Sequence, residues 1–365
     1  MRTFLAIVVL VVLAAAGAAG YVWYAIEKPF GHIPPEGVFV EIPHGASSRA
    51  AARILQNKGI IRSSLAFELY ARRHRKRSLL AGEYLFDHRL SGKEVFWKLA
   101  NGEVYEQPFT VKEGDTIFDI AHNLEAANYV KGEDFLKAAN DASQIHDLAP
   151  GAKTLEGFLF PATYNLPHNP TPTDLTNMMV RKFREALEEI APDRLDPQTP
   201  GTPLLSVITL ASLVEAETPK PEERPLVAGV YTNRLRKGML LQCDPTVIYA
   251  LKEADRYNPP LLLRDLRYDS PYNTYVRPGL PPGPIGNPGE SAIRAALSPA
   301  TTDFLYFVAN TQGGHFFSST LAEHNQNVAK YHRLLNGQPA DPPVPEAHSS
   351  HVAGSARKSA HKGNQ

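Results

Sequence analysis

Residues 203–218 read PLLSVITLASLVEAET. Nearly every position up to Val214 is apolar, and Pro219 follows the stretch. Proline removes an amide donor and breaks a helix, so this reads as a helix of about four turns. A helix that is apolar on almost all sides belongs in the middle of a domain. Two carboxylates, Glu215 and Glu217, close it. Glu215 comes four residues after Ala211 and seven after Ile208, on the stripe that also holds Leu204. Desolvation there raises a carboxyl pKa and keeps the group protonated near neutral pH, which suits a general acid. The competing reading pairs this helix-end carboxylate with an arginine.

The composition narrows the class. The chain has 365 residues, 43% hydrophobic, with 38 basic and 38 acidic side chains. That length allows two domains, and the zero net charge advertises no nucleic-acid surface. One basic run, RRHRKR at 72–77, sits in a helical pattern and reads as a solvated face. The single cysteine, Cys243, excludes an internal disulfide framework or a Cys-rich zinc site. No HEXXH spacing and no Gly-rich phosphate loop occurs, so neither a metal nor a cofactor is expected.

Toward the N-terminus, residues 4–23 carry no charge, Arg2 precedes them, and Trp23 and Tyr24 close the run. This is long enough to cross a bilayer, and the aromatics suit its interface. A cleaved signal peptide is the alternative, given the small residues at 14–20. The uncleaved anchor is favoured, single-pass in the inner (cytoplasmic) membrane, with the N-terminus in the cytoplasm and the rest periplasmic. Residues 26–36 read as a Pro/Gly linker. Two similar stretches follow, at 39–72 and 109–141; Gly45 matches Gly114, Leu55 matches Leu124, and Phe67 matches Phe135 after a one-residue slip. Each reads as a strand, a turn at Gly, a helix, a loop and a second helix, and resembles a LysM-like module, which binds glycan. The alternative is a scaffold that spaces the C-terminal part from the membrane. Residues 79–102 read as strand, turn and helix within the same module.

Toward the C-terminus, helices are expected at 171–189, 222–237, 290–297 and 321–335, with Gly238 as a C-cap. Residues 193–202 read as a Pro/Gly loop. Residues 239–251, MLLQCDPTVIYAL, return to helix with Asp244 as an acidic cap and Thr246 in its first turn. The Pro/Gly-rich stretch 269–289, DSPYNTYVRPGLPPGPIGNPG, is a long loop of the functional kind, and its tyrosines suit stacking on sugar rings. A buried strand is expected at 304–310 and a hairpin partner at 313–319. The polar, aperiodic stretch 337–365 reads as a disordered tail. The fold is therefore expected to be α+β: an anchor over 1–25, a linker over 26–36, a LysM-like α/β module over 37–150, and a mixed α+β catalytic domain with a central buried helix over 151–336.

Five motifs, in order, carry a resemblance: LEGFLFPATY, LASLVEAET, YTNRLRKGMLLQCDPTVIYAL, SPYNTYVRPGLPPGPIGNPG and LYFVANTQGGHFFSSTLAEHN. The chain is similar to the YceG-like family over about residues 37–335. Ala216 stands where Lys is more usual, and Cys243 where Thr or Ser is. The resemblance implies a lyase that cuts peptidoglycan glycan strands between N-acetylmuramic acid and N-acetylglucosamine without water. It leaves a 1,6-anhydro end and works beside the penicillin-binding synthases. It puts the family's catalytic glutamate on Glu215. Helper roles are expected for Glu217 and Thr218 in orienting Glu215, and for Asn233 and Gln242 on the N-acetyl or ring oxygens. Arg234 paired with Asp244 is expected to hold the loop, with Thr246 beside them. Tyr272, Asn273, Thr274 and Tyr275 are expected to line the cleft. His315 is a further substrate contact; both it and His324 also read as structural histidines. Two rivals stand: a hydrolytic muramidase with Asp244 as second carboxylate, and a non-enzymatic glycan-binding scaffold for the synthases.

Overall fold

In a computed structural model, which describes residues 1–195 and 201–340, the N-terminal apolar run forms one helix, α1 (Arg2–Glu27). It is long and apolar enough to cross a membrane. Two strand–helix–helix–strand units follow. The first is β1 (Val38–Ile42), α2 (Ser48–Asn57), α3 (Ser64–Arg73) and β2 (Gly82–Phe86), completed by α4 (Gly92–Asn101). The second is β3 (Gln107–Thr110), α5 (Ile117–Ala126), α6 (Gly132–Ala139) and β4 (Thr163–Leu166). In each unit the two strands pair antiparallel, Val40 opposite Tyr84 and Phe109 opposite Tyr164.

The C-terminal part is mainly helical: α7 (Pro172–Ile190), α8 (Leu204–Glu217), α9 (Arg224–Arg236), α10 (Asp244–Glu253) and α11 (Glu290–Leu297). A hairpin of β5 (Tyr306–Ala309) and β6 (His315–Ser318) and a last helix, α12 (Leu321–Leu335), complete it. The architecture is mixed α+β behind one N-terminal apolar helix. Of the expected loop at 193–202, residues 196–200 lie outside the described residues, as do 341–365 of the expected tail.

Local chemistry explains where the helices start. Four begin with a Ser or Thr whose hydroxyl accepts the amide three residues on, while the acid at that position reaches back: Ser91 with Glu94, Thr116 with Asp119, Thr171 with Asp174, and Thr320 with Glu323. Each box satisfies two otherwise orphaned amides. α10 departs from expectation: Cys243 occupies the cap position and Asp244 is already the first helical residue. Thr246 holds that turn instead, donating its hydroxyl to the Cys243 carbonyl at 2.6 Å.

Apolar packing divides the chain between Val104 and Phe109. One core joins Ala25 and Ile26 of α1 to the first unit. The other runs from Phe109 through the second unit into α7, α8, α9 and α11. The second unit is thus welded to the C-terminal part. The weld is polar as well: buried Asn287 takes the Leu159 amide on its Oδ1 at 2.9 Å and donates to the Asp115 carbonyl at 2.8 Å. It also donates to Glu156 at 3.1 Å. Gly286 lies so close to Gly114 that a Cβ would stand 2.6 Å from the Gly114 oxygen. α8 is buried at Leu204 and from Val207 to Val214. Its polar side chains are absorbed: Thr209 donates to Leu205 O, and Ser212 donates to Thr209 O while accepting the Ile285 amide at 3.0 Å.

The strand expected to be buried at 304–310 is shorter and only half-buried along its length. It packs against α9 and α12, and α12 has no buried residue to shield it. This leaves the hairpin as a rim, open on one side.

Glu156 sits wholly inside the weld, accepting the Ile117 amide as well as Asn287, and burial pushes its pKa up to about 8. A carboxyl with a raised folded-state pKa retains its proton in the native state while the unfolded chain loses it. Its contribution to stability is full below the ordinary glutamate value of 4.5 and is lost as pH rises toward about 8. Thermal melts from pH 4.5 to 8 are therefore expected to show a falling Tm for the native chain. Glu156→Gln is expected to flatten that slope by up to one proton, about 1.4 kcal/mol per pH unit.

Candidate active site

α8 delivers its two acids two residues apart. At 100° per residue they point about 200° apart, so they cannot serve one site. Each has found a different environment.

Glu215 turns inward. Its side chain is 6% exposed and forms an ion pair with the Nη2 of Arg224, whose own side chain is 4% exposed. The Gly289 amide, at the start of α11, donates to the other carboxylate oxygen at 3.0 Å. Arg224 also reaches Glu113 of the second unit at 3.3 Å. Burial holds the Glu215 pKa above the usual range, while the Gly289 amide and the Arg224 charge pull against it. Glu215 is thus a clamp joining the end of α8 to α9, α11 and the second unit. It is absent from the lining of the polar groove described next.

Glu217 turns the other way, into a groove of about 430 Å³ lined also by Arg234, Leu241, Gln242, Asp244, Tyr275, Phe307 and His324. That volume lies within the range usual for small-molecule sites. Burial raises the Glu217 pKa, opposed by hydrogen bonds from Tyr231 and Cys243; the Asp244 charge pushes it up further. The Tyr231 hydroxyl donates to Glu217 Oε1 at 2.6 Å. No guanidinium or ammonium pairs with Glu217 among the described residues. A desolvated carboxyl with a hydroxyl donor, on the wall of a groove, is equipped to hold and release a proton.

The groove walls are fixed from behind. The Arg234–Asp244 pair expected from the sequence does not form. Arg234 donates instead to the carbonyls of Leu305 at 2.6 Å, Leu241 at 2.7 Å and Leu240 at 3.3 Å, gripping the loop through its backbone. Asp244 accepts the Tyr275 hydroxyl at 2.5 Å. Gln242 adopts a left-handed backbone, φ 53°, an uncommon state for a side-chain-bearing residue. Its amide donates to Thr274 O at 3.2 Å, and its side chain lies exposed at the groove.

The other expected contacts are structural in placement. Asn233 spends its amide on the carbonyls of Thr302 and Phe304, at 2.7 and 3.0 Å, and so ties α9 to the hairpin. Asn273 is fully buried and bonds Leu266 O, Tyr268 O and the Tyr275 amide. Thr274 and Thr246 share a hydrogen bond at 2.9 Å behind the groove. Tyr272 packs its ring on Tyr249, centroids 4.8 Å apart. Of that loop segment, Tyr275 alone lines the groove. Thr218 reaches Glu223, not Glu215, and Glu223 holds His315 Nδ1 at 2.7 Å. Sequence reasoning missed Tyr231, Phe307 and Arg224. Tyr231 precedes Arg234 by three, so both share one face of α9. That spacing was the available signal.

Replacing Arg224 by Met strands two carboxylates, one of them buried. A loss of about 3–5 kcal/mol is expected from denaturant unfolding. Adding Glu215→Gln to that variant is expected to recover a large part of it.

The YceG-like family profile matches residues 40–330. The chain is 34% identical over 309 residues to the endolytic murein transglycosylase of Bacillus subtilis (strain 168), spanning 80% of this chain and 84% of that protein. It is 30% identical over 357 residues to the endolytic murein transglycosylase of Streptococcus pneumoniae serotype 2 (strain D39 / NCTC 7466), spanning 89% of this chain and 64% of that protein. Among solved structures, a yceG-like protein of Listeria monocytogenes superposes with a TM-score of 0.54 at 33% identity, over 80% of this chain and 99% of that one.

Proposed function

The chain belongs to the YceG-like family, and on that footing we propose that it is a membrane-anchored endolytic transglycosylase of peptidoglycan with Glu217 as its proton shuttle. The observation that carries the assignment is the opposite facing of the two acids. Glu215 is engaged by a buried arginine, whereas Glu217 meets the groove, hydrogen-bonded by the Tyr231 hydroxyl and the Cys243 thiol and with no cation paired to it among the described residues.

Cleavage between N-acetylmuramic acid and N-acetylglucosamine needs a proton on the leaving oxygen and a tolerated oxocarbenium-like transition state. Glu217 donates that proton as the glycosidic bond breaks. The substrate's own N-acetyl carbonyl oxygen closes on the anomeric carbon, giving an oxazolinium-like species. The sugar's 6-hydroxyl then attacks that carbon and the oxazolinium bond opens. The Glu217 carboxylate takes the hydroxyl proton and is restored. No water is consumed, and the product ends in a 1,6-anhydro ring. Gln242, Tyr275 and Asp244 offer polar atoms along the groove for sugar hydroxyls, and Phe307 offers an apolar face.

α1 acts as a single-pass anchor in the cytoplasmic membrane, with the folded part outside. The repeated strand–helix–helix–strand order supports reading both units as LysM-like, placing or holding the strand near the groove. Such a position would let the enzyme end strand growth beside the penicillin-binding synthases. Because Asp244 lines the same groove, a hydrolytic muramidase is the second reading. Mass spectrometry separates the two, since hydrolysed ends carry one more water than anhydro ends.

Assays of purified chain on glycan strands test the role of each acid. Glu217→Gln is expected to lower the rate of anhydro-end formation by about 10²–10⁴, with Glu215→Gln retaining turnover in whatever fraction folds. Near-native rates from Glu217→Gln would sink the assignment. The pH profile offers a second check. With the Glu217 pKa raised, the acid form persists above the ordinary carboxylate range, and activity falls as pH climbs through the shifted value. Tyr231→Phe removes a hydrogen bond that favours the carboxylate, so the alkaline limb is expected to move to higher pH.

A further inference from the structure

The basic run at 72–77 plays no part in the groove. It begins at the end of α3, and α3 packs against α1. Leu69, Tyr70 and Arg73 line one groove with Ala18, Ala19, Val22, Trp23, Ile26 and Glu27 of α1. Ala18 lies within the charge-free run, five residues before Trp23. At 1.5 Å per residue, α3 therefore lies alongside a part of α1 that begins about 7 Å below the aromatic collar. That is the depth of a headgroup layer.

The exposed face of α3 suits that depth. Leu65 is 65% exposed and Leu69 44%, an exposed apolar edge. Arg72, Arg73, Arg75, Lys76 and Arg77 are exposed directly beyond it. The one nearby acid on α3, Glu68, is occupied by Arg49 and Arg72. Among the described residues no acid pairs with Arg73, Arg75, Lys76 or Arg77. Apolar residues beside unneutralised cations match an interfacial segment on an anionic bilayer.

We propose that the Leu65–Leu69 edge and the basic run at 72–77 rest on the anionic phospholipid headgroups of the leaflet facing the folded part, so that the first unit lies on the membrane rather than above it. The proposal rests on α1 spanning a bilayer, and the test separates the two claims. Full-length chain is spin-labelled at Leu65→Cys, Val11→Cys or Lys137→Cys and reconstituted in nanodiscs of phosphatidylcholine with or without phosphatidylglycerol. Cys243 is fully buried and takes no label. Collision with oxygen and with a water-soluble nickel complex is read by power saturation.

The label at 65 is expected to show nickel collisions several-fold below those at 137, and lower still with phosphatidylglycerol. Replacing Arg73, Arg75, Lys76 and Arg77 together by Gln is expected to remove the phosphatidylglycerol effect and leave the label at 11 shielded. If 65 matches 137 while 11 is shielded, the chain spans but the surface contact is wrong. If 11 also matches 137, the spanning helix itself fails, and the proposal with it. A shielded 65 that ignores both phosphatidylglycerol and the four substitutions overturns the headgroup charge as the attraction.

Discussion

A helix turns 100° per residue, and this constraint governs the C-terminal part of the molecule. VEAE at the end of a buried helix sends one acid to each side. On one side a charge in the interior needs a partner, and Arg224 supplies it, with the Gly289 amide completing the set. That requirement locks α8, α9, α11 and the second unit into one arrangement. On the other side Arg234 shares the groove but gives its donors to backbone carbonyls, so among the described residues no cation pairs with the Glu217 carboxyl. The two halves are complementary: the clamp holds still the helix end that presents the other acid.

Much of this was legible before any coordinates. The charge-free run and the repeated pattern at 39–72 and 109–141 give the anchor helix and the element order of the two units. The burial of Leu204 and of Val207 to Val214 follows from the apolar composition of the stretch. The stripe through Ala211 and Ile208 identifies Glu215 as the buried acid but does not say what it meets. Arg224 meets it, from a helix whose start the sequence leaves loosely placed. The same limit applies to Asn233 and Arg234. Both look like site residues by type, yet Asn233 donates to a backbone carbonyl 69 residues away and the Arg234 Nε to one 71 residues away in the chain. No local pattern encodes such a partner.

The packing also regroups the chain. The two repeats are alike in element order, yet the first shares its core with α1 and the second shares its core with the groove-bearing helices. Contact between the two bodies is small and specific. The Phe39 ring stacks on His168 at 3.8 Å, and Glu83 takes the Tyr105 amide on its carbonyl and the His168 amide on its carboxylate. One body belongs with the apolar helix, the other with the chemistry.

Cys243 stands directly behind Glu217, wholly enclosed, with its thiol held far above the ordinary titration range by burial. A thiolate is the form that attacks disulfides and alkylating reagents. This sulfur therefore stays inert in an oxidising surrounding while the fold holds, and two copies cannot be cross-linked through it. Its uptake of a maleimide reports that the chamber behind the groove has opened, a tell-tale the molecule carries without any added label.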